Sequence, residues 1–312
     1  MKLKFFILLL LPVICFVSCR KITNDPDIKA YDQQQIQSYI AANGITGMVS
    51  DNAGGDTTGT WHKIINPGAT DSLVDFPSTI SYVYTIRTFD GKYIVADTVL
   101  NHFYGVLGHV VPTGLMLAIR NDLKYRGGQM RVLVPSHMAY GKNGVGTGSI
   151  TLTNGRIAGN QCLDITVNLI KNQDDYDQLV IKNYMAANNL SGYTEIASGS
   201  SAGLWYKITT PGTGNVINDN SVITQNYTLY LMNNTNPDQN IYASTNTFTI
   251  SDLASGGYAQ GYVEALRLLG KAGGAISIIV PSKLAYGTSA FNGVPANGCL
   301  RWDISNVTVT NQ

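Results

Sequence analysis

Charge is scarce in this chain: Asp, Glu, Lys and Arg make up 13% of 312 residues, and the formal net charge is +1. Such a surface carries no basic stripe of the kind that holds nucleic acid. Beyond Val17 there is no apolar run of the roughly 20 residues that a membrane-crossing helix needs. The four histidines (His62, His102, His109, His137) show no pair at metal-ligand spacing, so no metal is expected. Gly144 to Gly148 and Gly270 to Gly274 lack the Lys-Ser/Thr of a phosphate loop and read as turns, and no cofactor is expected. Cysteine is limited to four residues. Cys15 falls in an apolar leader, and Cys162 and Cys299 stand in equivalent places of two separate halves, which makes them small buried residues rather than a disulfide pair.

What is present starts at the N-terminus. Lys2 and Lys4 precede the apolar run Phe5 to Val17, the layout of a cleaved secretory signal. Phe16-Val17-Ser18-Cys19 resembles the bacterial lipobox, with Phe16 in place of the usual Leu. The expectation is a lipoprotein signal over 1–18, a lipid-bearing Cys19, a linker over 19–31 and a bacterial cell-envelope location with the chain tethered to the membrane. The whole sequence is 44% hydrophobic, with 32 glycines and 18 tyrosines, enough to build cores from short strands and turns.

The chain is written twice. Gly59-Thr60-Trp61-His62-Lys63-Ile64 returns as Gly203-Leu204-Trp205-Tyr206-Lys207-Ile208, and each is followed by Pro-Gly. Val134-Pro135-Ser136-His137-Met138-Ala139-Tyr140-Gly141 returns as Val280-Pro281-Ser282-Lys283-Leu284-Ala285-Tyr286-Gly287. Asn160-Gln161-Cys162-Leu163 returns as Asn297-Gly298-Cys299-Leu300. Matches in unchanged order at a period of about 140 residues are too far apart for a solenoid and indicate two domains with separate cores, 32–171 and 172–312.

Each copy opens with a helical pattern, over Asp32 to Asn43 and over Tyr176 to Asn188, read as an extension packed on the domain. The glycine-rich Gly54 to Gly59 and Ser198 to Gly203 read as flexible connectors. Ile80, Tyr82, Tyr84 and Ile86 then alternate with Ser81, Val83, Thr85 and Arg87, and Ile223, Tyr227, Leu229 and Leu231 share a face, which marks half-buried strands. Mid-copy the period turns helical (Leu115, Ile119, Leu123; Tyr262, Leu266, Leu269), and a last strand closes each copy (Leu163, Ile165, Val167, Leu169; Leu300, Trp302, Ile304). The fold class is α+β: two tandem domains, each a curled antiparallel sheet wrapped on a short helix, with an N-terminal helical extension.

With GGQMRVLVPSHMAYG at 127–141, GGAISIIVPSKLAYG at 273–287, Val294-Pro295-Ala296-Asn297-Gly298-Cys299-Leu300-Arg301-Trp302-Asp303-Ile304 and Gly261-Tyr262-Val263-Glu264-Ala265-Leu266, the sequence resembles the FKBP-type peptidyl-prolyl cis-trans isomerases. The match is specific over 203–307 and looser in the first copy outside 127–141. The resemblance implies an isomerase that assists the folding of exported proteins, chiefly through the second copy. Rotation of an X-Pro bond crosses a barrier of about 18–20 kcal/mol without breaking a bond, so neither nucleophile nor base is needed. An apolar pocket that strips water from the planar amide, with a donor for the substrate carbonyl, lowers the barrier; ten-thousand-fold asks for about 5.5 kcal/mol.

By the resemblance, the acting side chains are Tyr286, Tyr227 and Trp302 in the second copy and Tyr140 and Tyr84 in the first. Substrate-binding positions are Tyr242, Phe248, Tyr258, Ala259, Tyr262 and Val294, and in the first copy Ile94, Phe103, Val111, Leu115, Ile157 and Ile165. Taken singly, each aromatic also reads as core packing. Leu115 and Ile165 stand where the family has aromatics, and Pro112 replaces a residue whose backbone N–H binds substrate. The family's pocket aspartate is missing from both copies, its place taken by Val95 and Ala243; Asp97 substitutes only if the strand slips by two. The alternative is therefore a catalytically weak or inactive peptide-binding chaperone on the same fold. The expected partners are proline-containing polypeptides, met by a monomer.

Overall fold

Alternating apolar residues in each half pair into an antiparallel sheet, and the two sheets share one strand order. They are seen in a computed structural model that describes residues 27–51, 58–232, 240–255 and 258–311. The leader 1–18 and Cys19 lie outside the described residues. In the N-terminal half, β1 (Val49–Ser50), β2 (Trp61–Asn66), β3 (Thr79–Thr88), β4 (Ile94–Val95), β5 (His102–Val106), β6 (Gln129–Val134) and β7 (Leu163–Leu169) lie in the order β1-β2-β6-β7-β3-β4, with β5 also on β3. In the C-terminal half, β8 (Thr194–Glu195), β9 (Trp205–Thr210), β10 (Ser221–Leu231), β11 (Asn240–Thr249), β12 (Ala275–Val280) and β13 (Leu300–Asn311) lie in the order β11-β10-β13-β12-β9-β8, the same path. Neither sheet closes into a barrel, and helices cover each: α1 (Ile28–Ala42) and α2 (Thr113–Ala118), then α3 (Gln173–Ala187), α4 (Ile250–Ser255) and α5 (Gln260–Leu269).

The central helices fill the sheets because their apolar residues recur every three or four positions. In α5, Tyr262, Val263, Ala265, Leu266 and Leu269 are buried. They meet Ile223, Leu229, Ile278, Trp302 and Ile304 in one core. The helix stops at Gly270, whose left-handed backbone (φ 72°) returns its N–H to Leu266 O. In α2 and the π-helical turn after it, Leu115, Ile119 and Leu123 do the same work. Each helix touches its sheet through a glycine. A Cβ on Gly261 would lie 2.6 Å from Val280 Cγ1, and one on Gly114 would lie 2.5 Å from Val134 Cγ1.

The outer helices are fastened by a repeated triplet, Tyr31-Asp32-Gln33 and Tyr176-Asp177-Gln178. Asp32, fully buried, accepts from Ser136 Oγ at 2.8 Å and from His137 N–H at 3.2 Å. Asp177 accepts from Ser282 N–H at 2.8 Å and Ser282 Oγ at 2.6 Å. The glutamines grip the Gly-x-Trp strands: Gln33 accepts from Trp61 Nε1 (2.9 Å) and donates to Gly59 O (2.7 Å), and Gln178 does so with Trp205 (3.0 Å) and Gly203 (2.9 Å). Helix α1 begins at Ile28, inside the expected linker, because Asp27 caps it by accepting from Lys29 N–H. Ser198 to Gly203 is a bonded turn rather than a free connector, with Gly203 N–H on Ile196 O and Leu204 N–H on Ser201 O.

The halves touch at a polar contact. Ser81 Oγ on β3 donates to Gln173 Oε1 (2.8 Å), lies 2.7 Å from His102 Nε2 on β5, and receives Asn297 Nδ2 (3.3 Å). The His102 ring is edge-on to Tyr176, and Val99 packs on the C-terminal core. Ser81 lies on the face opposite Ile80 and Tyr82, and this contact helps to bury it. Burial pushes His102 down from 6.5 to about 4. The folded chain therefore holds fewer protons than the unfolded one between those values, so stability is full above pH 6.5 and falls as pH drops towards 4, by up to about 3 kcal/mol. Thermal melts should show this acid loss in the native chain and a flatter profile in His102→Gln.

Candidate functional site

In the C-terminal half, four kinds of element converge on a cavity of about 660 Å³. Strand β10 brings Tyr227 and Leu229, and β13 brings Trp302, which pairs in register with Leu229. Helix α5 brings Tyr262, and the segment ahead of it Tyr258 and Ala259. The loop between β12 and β13 brings Tyr286, Phe291, Asn292 and Val294, and β11 contributes Tyr242 and Asn246. Trp302 and Tyr262 are nearly fully buried with ring centroids 5.9 Å apart, and Tyr227 meets Tyr262 edge-on at 5.6 Å. Tyr286 stands 4.6 Å from Phe291 by ring centroids, while Tyr242, Tyr258 and Phe291 are about half exposed at the rim. A wholly buried Gln225 donates to the Tyr262 hydroxyl and fixes that ring from behind.

Among the described residues, none that lines this cavity is charged. Burial raises the Tyr286 and Tyr262 phenols and pushes Tyr227 up to about 12, so all three hydroxyls stay protonated at neutral pH and can donate. Tyr286 owes its place to the turn Ser282–Leu284, which Asp177 holds from α3. The arrangement is an apolar, aromatic hollow edged with neutral donors, within the size range of small-ligand sites.

The expected set is thus gathered in the C-terminal half with one exception. Phe248 does not line the cavity; it packs behind Tyr262, 6.2 Å between ring centroids. Leu229, Asn246, Phe291 and Asn292 line it without having been read from the sequence. Period two places Leu229 on the face of Tyr227, which was signal enough; the loop residues carry no such signal.

The N-terminal cavity is smaller, about 300 Å³. Tyr84, Val111, Leu115, Tyr140, Ile157 and Ile165 line it as expected. Ile94 and Phe103 do not: Ile94 gives its N–H to Asn154 Oδ1, and Phe103 stacks on Tyr82 at 4.8 Å. Asp97 does not slip into the pocket either. Its side chain accepts from Val99 and Leu100 N–H and caps a turn. Asn101, Asn154 and Arg156 line the cavity unforeseen, and the Val145–Ile157 bridge folds the long loop over it. Burial raises Tyr84 and pushes Tyr140 up to about 12.

Comparison with known proteins agrees with this geometry. A family model described as FKBP-type peptidyl-prolyl cis-trans isomerase matches residues 214–306. The chain is similar to the FKBP-type peptidyl-prolyl cis-trans isomerase FkpA of Buchnera aphidicola subsp. Baizongia pistaciae, 29% identical over 160 residues, or 48% of this chain and 62% of that protein. It is also similar to the protein of the same name from Escherichia coli (strain K12), 30% identical over 113 residues, or 35% of this chain and 39% of that one. The chain spans less than two thirds of the length of these relatives. Among solved structures it is similar to FkpA from Escherichia coli (22% identity, TM-score 0.36, 45% of this chain and 61% of that one) and to the three FKBP domains of wheat FKBP73 (17%, 0.32, 86% and 100%).

Proposed function

Taking residues 214–306 as a member of the FKBP-type peptidyl-prolyl cis-trans isomerase family, we propose that the chain is an envelope lipoprotein, anchored through Cys19, that isomerises X-Pro bonds in exported polypeptides. Its two domains, 32–171 and 172–312, act within a monomer, and the second carries the turnover. The observation that carries this reading is the convergence of Tyr227, Tyr262, Tyr286 and Trp302 on one uncharged cavity.

The chemistry follows from that surface. A proline ring set against Trp302 and Tyr262 leaves water, and so does the amide before it. The planar amide is more polar than its twisted transition state, so desolvation favours the twist. The Tyr286 hydroxyl donates to the substrate carbonyl, and the backbone N–H of Ala259, ahead of α5, supplies a second donor. Pro112 stands at the matching place of the N-terminal half and has no N–H to give. No step needs a base, which suits a site without one.

One observation favours the second reading, a peptide-binding chaperone with little turnover: among the described residues, no carboxylate lines either cavity. A lost charged hydrogen bond is worth about 1.5–3 kcal/mol. A proline-peptide isomerisation assay on the full chain separates the two. Acceleration that falls about tenfold in Tyr286→Phe supports the enzyme. Peptide binding that Tyr286→Phe weakens, with no acceleration in the native chain, leaves the chaperone.

A further inference from the structure

The two cavities differ in one chemical respect. Among the described residues, the C-terminal one has no charged lining, whereas Arg156 lines the N-terminal one with no carboxylate beside it in that lining. Arg156 Nη2 donates to Asn143 O at 2.7 Å, but its Nε is shielded from water and has no hydrogen-bond partner. Nδ2 of Asn101, in the same lining, is also buried without a partner. A buried donor left unmet costs about 1–3 kcal/mol, more when charged, and folded proteins seldom keep one without a role. Asp90 shares a small adjoining cavity with Arg156, but its Oδ1 already accepts from Thr88 Oγ1 (2.6 Å) and Lys92 N–H (3.1 Å).

Those two atoms are closed to the cavity as they are to water, so a ligand there meets the rest of the guanidinium, for which the best partner is an anion of carboxylate shape. Tyr84, Leu115 and Tyr140 supply apolar walls, and the volume of about 300 Å³ admits a residue or two. Pro112 removes the backbone donor that would otherwise meet a neutral carbonyl, so recognition falls to side chains.

We propose that the N-terminal cavity is a peptide site that selects a carboxylate beside an apolar anchor, with the Arg156 guanidinium as the group that reads it. This rests on the reading that the cavities hold peptide, and it assigns the two halves different ligands: neutral proline segments to the C-terminal cavity, acidic or chain-terminal ones to the N-terminal cavity.

The test uses the full chain and two pairs of labelled peptides, followed by fluorescence anisotropy. One pair is acetyl-Ala-Pro-Phe with a free or an amidated C-terminus; the other is Glu-Pro against Gln-Pro within an amidated peptide. The carboxylate member of at least one pair should bind about tenfold more tightly. Which pair does so tells a chain terminus from an acidic side chain. Arg156→Gln should bring that ratio to about one, and Arg156→Lys should restore most of it, which sets charge apart from any loosening of the loop. A ratio of one in the native chain while neutral peptides still bind, or a preference that survives Arg156→Gln, overturns this inference and leaves the isomerase reading intact. Failure of every peptide to bind removes both.

Discussion

Trp302→Leu should lower isomerase turnover by about 10- to 100-fold while the chain stays folded, a loss of about 1.4–2.7 kcal/mol in transition-state binding. Trp302 is 3% exposed, and its indole lies against Tyr262 at the bottom of the cavity. Leucine keeps the apolar character and the register with Leu229 and Ile278, so the sheet survives. What is lost is the flat wall that the proposed function gives to a proline ring, together with the water exclusion it gives to the amide. The matching position in the other half is Ile165, and Ile165→Leu should leave turnover unchanged if the C-terminal cavity does the work. Kinetics on both variants, with thermal melts beside them, check the expectation. Turnover of Trp302→Leu within a factor of two of the native chain would count against the pocket.

Asp177→Ala should cost about 3–5 kcal/mol of stability, because it strands Ser282 N–H, Ser282 Oγ and Gln173 Nε2 in a buried place. At roughly 2–4 °C per kcal/mol for a unit of this size, the melting temperature should drop by about 10 °C. The cost lies in those orphaned donors and not in the charge. Burial raises the Asp177 carboxyl above its usual range, although Ser282 and Gln173 pull it down. On balance the fold disfavours its ionised form, so the stability tied to this group is greatest below the ordinary carboxylate range and diminishes as pH rises through the raised value. Asp177→Asn keeps one acceptor and should lose about half as much. Calorimetry on the two variants tests the order Ala before Asn, and a shift under 2 °C for Asp177→Ala would contradict the role given to the carboxylate.

Architecture was legible wherever it is written as periodicity or repetition. The apolar spacing of Tyr262, Leu266 and Leu269 gave α5, and the paired Ala-Tyr-Gly and Asn-x-Cys-Leu segments gave the duplicated sheet order. Tyr227, Tyr262, Tyr286 and Trp302 come together because each sits on an element whose face is set by such a pattern. The misses fall where a contact is made by loops or by the other half. Arg156 and Asn101 reach their cavity from irregular segments with no period to read. Alternation on β3 carries no sign of the contact by which Ser81 is bound to Gln173 of the C-terminal half. Leu179 of α3, an apolar residue in a helical pattern, is 55% exposed, because Asp177, Ile181 and Tyr184 are the residues that face the sheet. Asp32 and Asp177 were legible in principle as the twice-written Tyr-Asp-Gln, but a carboxylate in a polar-looking helix start is ordinarily read as solvated.

The brace from α3 to the Pro-Ser turn has a practical consequence. The stretch that matches the family starts at residue 214, after the helix carrying Asp177 and after β9, which flanks β12. A fragment trimmed to that match would keep every ring of the hollow yet lose both the anchor behind Tyr286 and a neighbouring strand. A fragment meant to keep that brace has to begin near Asn172, where α3 is capped, and is longer than the stretch that matches the family model.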